Sequence, residues 1–207
     1  MSVAAILLAA GASRRMGSPK PLIPWGECTL IEWEYAQLMA SCVDDIVIVA
    51  GARMEQVRRV LGAAERHVVF NARWPQGRAT SLAEGARALM RPGRAMPECI
   101  VIQNVDQPTR PSIIDRLVEA RRERDSDIVQ PAYLAEDGSE HGGHPVVLAG
   151  RLLTELSRVT EATLGLRAVV DRHPPVRVPF ERDPAVWIDL DTPDLIPDAR
   201  RVFGIKD

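Results

Sequence analysis

The chain has only three cysteines, Cys28, Cys42 and Cys99, an odd number, widely spaced and without a C-x-x-C pair. That excludes a disulfide framework and points to a reducing, cytoplasmic setting. No apolar run approaches the ~20 residues of a membrane span, so no membrane partner is expected. No charged leader with an apolar core and cleavage site is expected either, because the run 4–10 is short and passes straight into a glycine-bounded loop. Excess positive charge is also missing: the formal net charge is -2, which excludes a general nucleic-acid footprint. Repeats, low-complexity stretches and linkers that would mark a second domain are absent as well.

What is present is ordinary globular material, 207 residues of which 46% are apolar and 26% charged. A chain of this length suits one sizeable α/β domain that buries ~70% of its unfolded surface. Strand-like and helix-like segments alternate. Apolar runs at 4–10, 45–50, 67–70 and 99–103 predict strands; periodic segments at 29–40, 54–61, 79–90 and 111–122 predict helices. Thr29 with Glu32 three residues on has the form of a capping box, and Pro111 suits a first helical turn. The order argues for a mostly parallel sheet with right-handed crossovers. After Ile128 the rhythm changes. Strands at 127–133 and 144–149, joined by a turn-rich 136–140, predict an antiparallel excursion. Short helices near 151–157 and 164–171, a strand at 186–190 and a helix at 193–203 follow. The expected fold is therefore α/β, a three-layer, mostly parallel, Rossmann-like sheet with helices on both faces and a small antiparallel excursion.

The stretch from Ala4 to Lys20 organises the rest. Its first half lacks alternation, the pattern of a parallel strand covered on both faces. At Gly11 the hydrophobicity stops, and a loop of small residues carries Arg14, Arg15 and Lys20. Small side chains let backbone N–H groups approach a ligand, consecutive N–H groups can form an anion nest, and the cations add to it. Such a loop suits a polyphosphate. It is not a P-loop, since five residues separate Gly11 from Gly17 and Ser18 follows where lysine belongs. Nor is it a dinucleotide fingerprint, which Gly11-Ala12-Ser13 breaks.

Acids stand at two further points. Asp106 follows the fourth predicted strand, where open α/β sheets bind ligands. Asp189 and Asp191, two apart, would share one face of the predicted strand 186–190. Carboxylates from separate strand ends near a phosphate loop would supply a Mg²⁺ site. Asp106 could equally be a turn acid before Pro108, and Asp191 the N-cap of the last helix. Asp189, flanked by Ile188 and Leu190, is costly in an apolar strand unless paired or metal-bound.

Leu8 to Lys20 reads L-A-A-G-x-S-x-R-M-G-x-x-K and resembles the signature loop of the MobA-like nucleotidyltransferases, a family that includes molybdenum cofactor cytidylyl- and guanylyltransferases. Asp106-Gln107-Pro108 is similar to the family's D-x-P, and Asp189 to Leu195, D-L-D-T-P-D-L, resembles its D-x-D-T-P motif. Asn71 to Gly77, continuing to Ser81 and Leu82, resembles the segment that reads the nucleotide base, and Gly143-His144-Pro145 the G-x-P element beside the acceptor.

The resemblance implies the nucleotide-diphospho-sugar transferase fold as a single domain over 1–207, its nucleotide part about 1–110 and its acceptor side about 127–190. It implies an NTP cradled by Leu8, Ala9, Ala10, Gly11, Ser13, Arg14, Gly17, Lys20, Gly77 and Ser81. Lys20, Arg14 and Asp106 would be catalytic, Asp106 and Asp189 would hold Mg²⁺, and His144 and Asp191 would lie on the acceptor side. Ala9-Ala10-Gly11 resembles the cytidylyl branch, since the guanylyl branch tends to have glycine where Ala10 stands. The implied reaction moves CMP from CTP onto the terminal phosphate of a molybdopterin-type cofactor. The alternatives are a sugar-phosphate or other small-phosphate nucleotidyltransferase and a non-catalytic molybdenum cofactor carrier; a molybdoenzyme partner goes with the family. Lys20, Asp106 and Asp189, all present, count against a pure carrier. The sequence departs from the family at Asn104-Val105, where small or apolar residues are usual, and at Thr163 to Arg167, which keeps Gly165 and Arg167 but lacks an acid.

Overall fold

The computed structural model describes residues 2–135, 138–180 and 183–206, with every side chain among them except that of Arg14. In it the apolar run becomes β1 (Val3–Ala9), an interior strand of the main sheet. Its side chains alternate between two cores. Val3, Ala5, Leu7 and Ala9 enter one, and Ala4, Ile6 and Leu8 the other. A strand covered on both faces needs no polar side, hence the unbroken hydrophobicity.

The further strands are β2 (Pro24–Trp25), β3 (Cys28–Thr29), β4 (Asp45–Ala50), β5 (Val68–Phe70), β6 (Cys99–Asn104), β7 (Ile128–Leu134), β8 (Glu140–Gly142), β9 (Val146–Ala149) and β10 (Val176–Pro179). The main sheet runs β10-β7-β9-β6-β1-β4-β5, with β8 added to β7, while β2 and β3 form a separate two-stranded ribbon. β1 is parallel to both β4 and β6, and β4 to β5. β9 enters between β6 and β7, antiparallel to both, so β7 runs in the same direction as β6. The carboxyl ends of β1, β6 and β7 and the amino end of β9 thus share one edge.

The helices are α1 (Leu30–Met39), α2 (Met54–Leu61), α3 (Arg78–Leu89), α4 (Pro111–Arg124), α5 (Leu153–Leu156), α6 (Leu166–Arg172) and α7 (Ile196–Phe203). Side chains of α1, α2, α4 and α7 fill the core on one sheet face, and those of α3, α5 and α6 the core on the other. The expected three layers are present. The capping box at α1 is present too, with the Thr29 N–H donating to Glu32 Oε2 at 2.7 Å. Pro111 opens α4. Cys28, Cys42 and Cys99 are free. Among the described residues, no helix is long and apolar enough to cross a membrane.

The short strands β2, β3 and β8 lie where no strand is expected, and two larger departures follow. The segment 186–190 is not a strand. A 3-10 turn, Pro184–Val186, leads into an irregular arm that runs past Asp191. The arm bonds across the strand ends rather than along a neighbouring strand, with the Leu190 N–H donating to the Asp106 carbonyl at 2.8 Å and the His144 N–H to the Val186 carbonyl at 2.9 Å. The edge strand β10, in turn, lies in a stretch with no expected element. The antiparallel excursion exists as β7, β8 and β9. Glu136 and Asp137 of its expected turn lie outside the described residues.

Candidate active site

The carboxyl ends of β1 and β6 open into a cleft of about 420 Å³. Leu8, Ala9, Ala10, Gly11 and Ser13 line its floor, Trp74, Gly77, Arg78 and Ser81 one wall, and Lys20, Asn104, Asp106 and Asp191 the other. The loop after β1 can fold this way because Ser13 and Gly17 take positive φ, 53° and 67°. Ser13 Oγ then accepts the Lys20 N–H at 2.8 Å, which brings Lys20 back over the strand end. Gly17 turns the loop without lining the cleft. The Arg14 side chain lies outside the described residues.

Lys20 is the hub. Its Nζ donates to Asp106 Oδ2 at 2.7 Å and to Asp191 Oδ1 at 2.9 Å. The Lys20 and Asp106 side chains are only 12% and 13% exposed, so that contact is poorly screened. Burial alone would lower the ammonium's pKa, but the two carboxylates outweigh it and leave it raised. Asp191 also accepts from Arg15 Nη2 at 2.9 Å, and its pKa is lowered by the Lys20 hydrogen bond first and by Arg15 after. Asp191 therefore does not cap the last helix, whose 3-10 lead-in has Thr192 at its N-cap.

Asp189 has no such cation. Burial, then repulsion from Asp106 and Asp191, raises its pKa. Its Oδ2 accepts from Gln107 Nε2 at 3.1 Å, while Oδ1 is buried without a partner. Oxygen atoms of Asp106, Asp189 and Asp191 lie within 4.8 Å of one another. Three convergent hard oxygen donors, one of them orphaned, fit a divalent cation such as Mg²⁺. Asp191 thus joins the two acids expected to hold metal.

The support for this cluster was not read from the sequence. Asn104 Nδ2 donates to Gln107 Oε1 at 2.5 Å, so the residue that departs from the family pattern fixes the amide that holds Asp189. Beneath them lies Glu34 of α1, fully buried, its Oε2 accepting from Gln103 Nε2 at 3.3 Å. Burial, then the Asp106 charge, pushes its carboxyl well above the ordinary range. Only an acid inside an amphipathic helix, between Trp33 and Tyr35, could have signalled it.

His144 lies behind the arm rather than in the cleft, 7% exposed, with Nε2 2.7 Å from the Ile188 carbonyl. A carbonyl only accepts, so Nε2 carries the proton. Burial lowers the imidazole pKa to about 4, leaving it neutral at pH 7. Beside it, a Cβ on Gly143 would collide with the Val186 carbonyl, so glycine is what lets the arm approach. Gly143→Ala is expected to cost about 1–3 kcal/mol of unfolding free energy. A lower urea midpoint with an unchanged m value would show it.

On the opposite wall Gly77 has φ 122°, which only glycine tolerates, and precedes α3. Glu161 Oε1 accepts the Ala79 N–H there at 2.6 Å, bringing an acid to the helix start from just before Thr163. Ser81 lines the cleft, and its Oγ accepts from buried Asn71 Nδ2 at 3.0 Å, which also donates to Thr80 Oγ1 at 2.8 Å.

Known proteins share this layout. The family described as MobA-like NTP transferase domain matches residues 5–178. Nicotine blue oxidoreductase of Paenarthrobacter nicotinovorans is 28% identical over 176 residues, 83% of each chain. A protein named probable molybdenum cofactor guanylyltransferase, from Mycolicibacterium paratuberculosis, is 30% identical over 179 residues, 83% of this chain and 82% of that one. Molybdenum cofactor cytidylyltransferase of Escherichia coli is 23% identical over 191 residues, 91% of each. Among solved structures, Rv0371c of Mycobacterium tuberculosis H37Rv superposes with a TM-score of 0.77 at 25% identity, covering 97% of this chain and 99% of that one. The sheet is that of the nucleotide-diphospho-sugar transferases, and the chain belongs to the MobA-like NTP transferase family.

Proposed function

We propose that the chain transfers a nucleotidyl group, CMP from CTP in the first instance, to the terminal phosphate of a molybdopterin-type acceptor. The observation that carries this reading is the meeting of Lys20 with Asp106, Asp189 and Asp191 at one end of the cleft. An acceptor phosphate oxygen attacks the α-phosphorus in line, the bond from that phosphorus to the bridging oxygen breaks, and pyrophosphate leaves. The attacking phosphate is already ionised at neutral pH, so no general base is required. Positioning and charge neutralisation then carry the rate.

The floor residues from Leu8 to Ser13 and the loop cations Arg14 and Arg15 would hold the β- and γ-phosphates. Lys20 exchanges its carboxylate partners for phosphate oxygens as the substrate seats. Gly77 and Ser81 lie on the wall assigned to the base, and the nucleotide falls to about 1–110. The acceptor falls to about 127–190, where His144 acts by fixing the arm; Asp191, just past that range, acts by facing the cleft. Mg²⁺ held by Asp106 and Asp189, with Asp191, would supply further neutralisation of the triphosphate. The choice of CTP rests on Ala10, buried at the cleft floor where the guanylyl branch tends to glycine. The free cysteines go with a cytoplasmic setting. The word oxidoreductase in the Paenarthrobacter relative's name raises a redox reading. Three converging carboxylates beside a lysine favour phosphate chemistry, in which negative charge must be gathered and neutralised.

Pyrophosphate release tests the proposal. Purified protein would be given each NTP with Mg²⁺, alone, with molybdopterin or molybdenum cofactor, and with a sugar 1-phosphate panel. Release that requires CTP and the cofactor is the expected result. Release only with a sugar phosphate would move the acceptor to another class. Tight NTP binding without release under any condition would make the chain a carrier.

A further inference from the structure

Beyond the acid cluster, on the same sheet edge, the carboxyl end of β7 bears an aromatic shelf. Tyr133 and His141 face each other across the β7–β8 ladder, with ring centroids 5.8 Å apart and planes 26° apart. Trp187, from the irregular arm, also packs on Tyr133, with centroids 5.0 Å and planes 33° apart. A cross-strand pair accounts for Tyr133 and His141 as sheet stabilisers. It does not account for Trp187, which comes from a separate segment and remains 39% exposed although Ala185 and Val186 before it are fully buried.

The position of Trp187 is set by the active site. It stands two positions before Asp189, so their Cα atoms are at most ~7 Å apart. His144 ties the carbonyls on both sides of it, Val186 through its N–H at 2.9 Å and Ile188 through Nε2 at 2.7 Å. The Leu190 N–H is tied to the Asp106 carbonyl. The indole is therefore carried on the same pinned arm as the acids and packs on β7, which the sheet order places on the other side of β1 from β4 and β5.

We propose that Trp187, backed by Tyr133 and His141, is the stacking platform for a flat conjugated heterocycle on the acceptor, a pterin ring whose phosphate arm points along the chain toward Asp189. This rests on the nucleotidyl-transfer reading and adds to it the part of the acceptor that is recognised. An aromatic face takes such a ring by offset stacking and buries apolar area without demanding a hydrogen-bond pattern. A sugar phosphate offers only a C–H face and no conjugated ring.

The test uses pterin-6-carboxylate, followed by its own fluorescence, with the full chain. Trp187→Leu keeps apolar bulk but no ring, and Trp187→Phe restores a ring. Wild type should quench the probe saturably. Trp187→Leu should weaken binding about tenfold or more, while Trp187→Phe stays within about threefold and NTP binding is unchanged in both. In turnover, Trp187→Leu should raise KM for the pterin acceptor and leave KM for the NTP alone. No saturable quenching by wild type, equal binding by Trp187→Leu, or displacement of the probe by cytidine would each overturn the proposal, the last by making the shelf a base site. The two readings fail separately. Pterin binding that needs Trp187 without pyrophosphate release sinks the reaction and keeps the shelf. Release with the pterin acceptor and no effect of Trp187→Leu sinks the shelf and keeps the reaction.

Discussion

Lys20→Ala is expected to lower kcat for pyrophosphate release by about 10²–10³, the usual cost of one preorganised electrostatic contact. The lysine is the cation that bridges Asp106 and Asp191, and it is nearly shielded from water. Its removal also has a structural effect. Three carboxylates within 4.8 Å lose the ammonium that neutralises them, so the metal-free protein should melt lower. The same vacancy of charge should make the cluster a tighter cation site, because Mg²⁺ no longer competes with Nζ. Added Mg²⁺ should then raise the melting temperature of Lys20→Ala by more than that of wild type, since ligand binding to the folded state stabilises by mass action. Thermal melts with and without Mg²⁺, beside steady-state rates, decide the matter. A variant that folds and turns over within a few-fold of wild type would remove Lys20 from the mechanism.

Asp189→Asn should lose activity on a similar scale, about 10²–10³, through the opposite change in stability. Asp189 is a half-buried charge with one unpartnered oxygen and two acidic neighbours, supported by the Gln107 amide and then by the Lys20 charge. Neutralising it relieves that repulsion and leaves an amide oxygen for Gln107. The metal-free Asn variant should be the more stable protein, a case of function held at the expense of stability. The sign of the pH dependence follows. The folded state raises the Asp189 pKa above its ordinary 3.8, so the folded chain binds that proton more tightly than the unfolded chain. Stability from this group is present at low pH and is lost as pH rises from 3.8 through the raised value. The advantage of Asp189→Asn over wild type should grow across that window and then level off. Chemical unfolding at a series of pH values, with chelator present, would show it; an advantage that shrinks with pH would contradict the assignment.

Much of this site was legible because its signals are local. The unbroken apolar run, the small-residue loop ending at Lys20, and Asp106 ahead of Pro108 each announce themselves within a few residues. What was not legible is set by partners far along the chain. Val186, Ile188 and Leu190 alternate as a strand would, but the Leu190 N–H is taken by the Asp106 carbonyl and, among the described residues, no strand pairs with the arm. β10 hides between Pro174-Pro175 and its own last residue Pro179, residues that belong to edge strands rather than central ones, and it pairs only with β7. Gln107 reads as filler in Asp106-Gln107-Pro108 until Asn104 is seen to aim it at Asp189. Glu34 reads as the polar side of α1 until the helix is seated beneath β6.

The ion pairs of Lys20 span 86 and 171 positions of sequence. Contacts this distant reward the chain only after the entropy of closing very long loops has been met, so they belong to the late, slow part of folding. β1, β4 and β5 can pair within the first third of the chain, long before the arm at 189–191 reaches Lys20. On the proposed function, a partly folded molecule would therefore hold most of the loop after β1 with no acids opposite it, able to touch a triphosphate but not to transfer its nucleotidyl group. Turnover is in this sense a quality check on the whole chain, reserved for molecules that have finished folding.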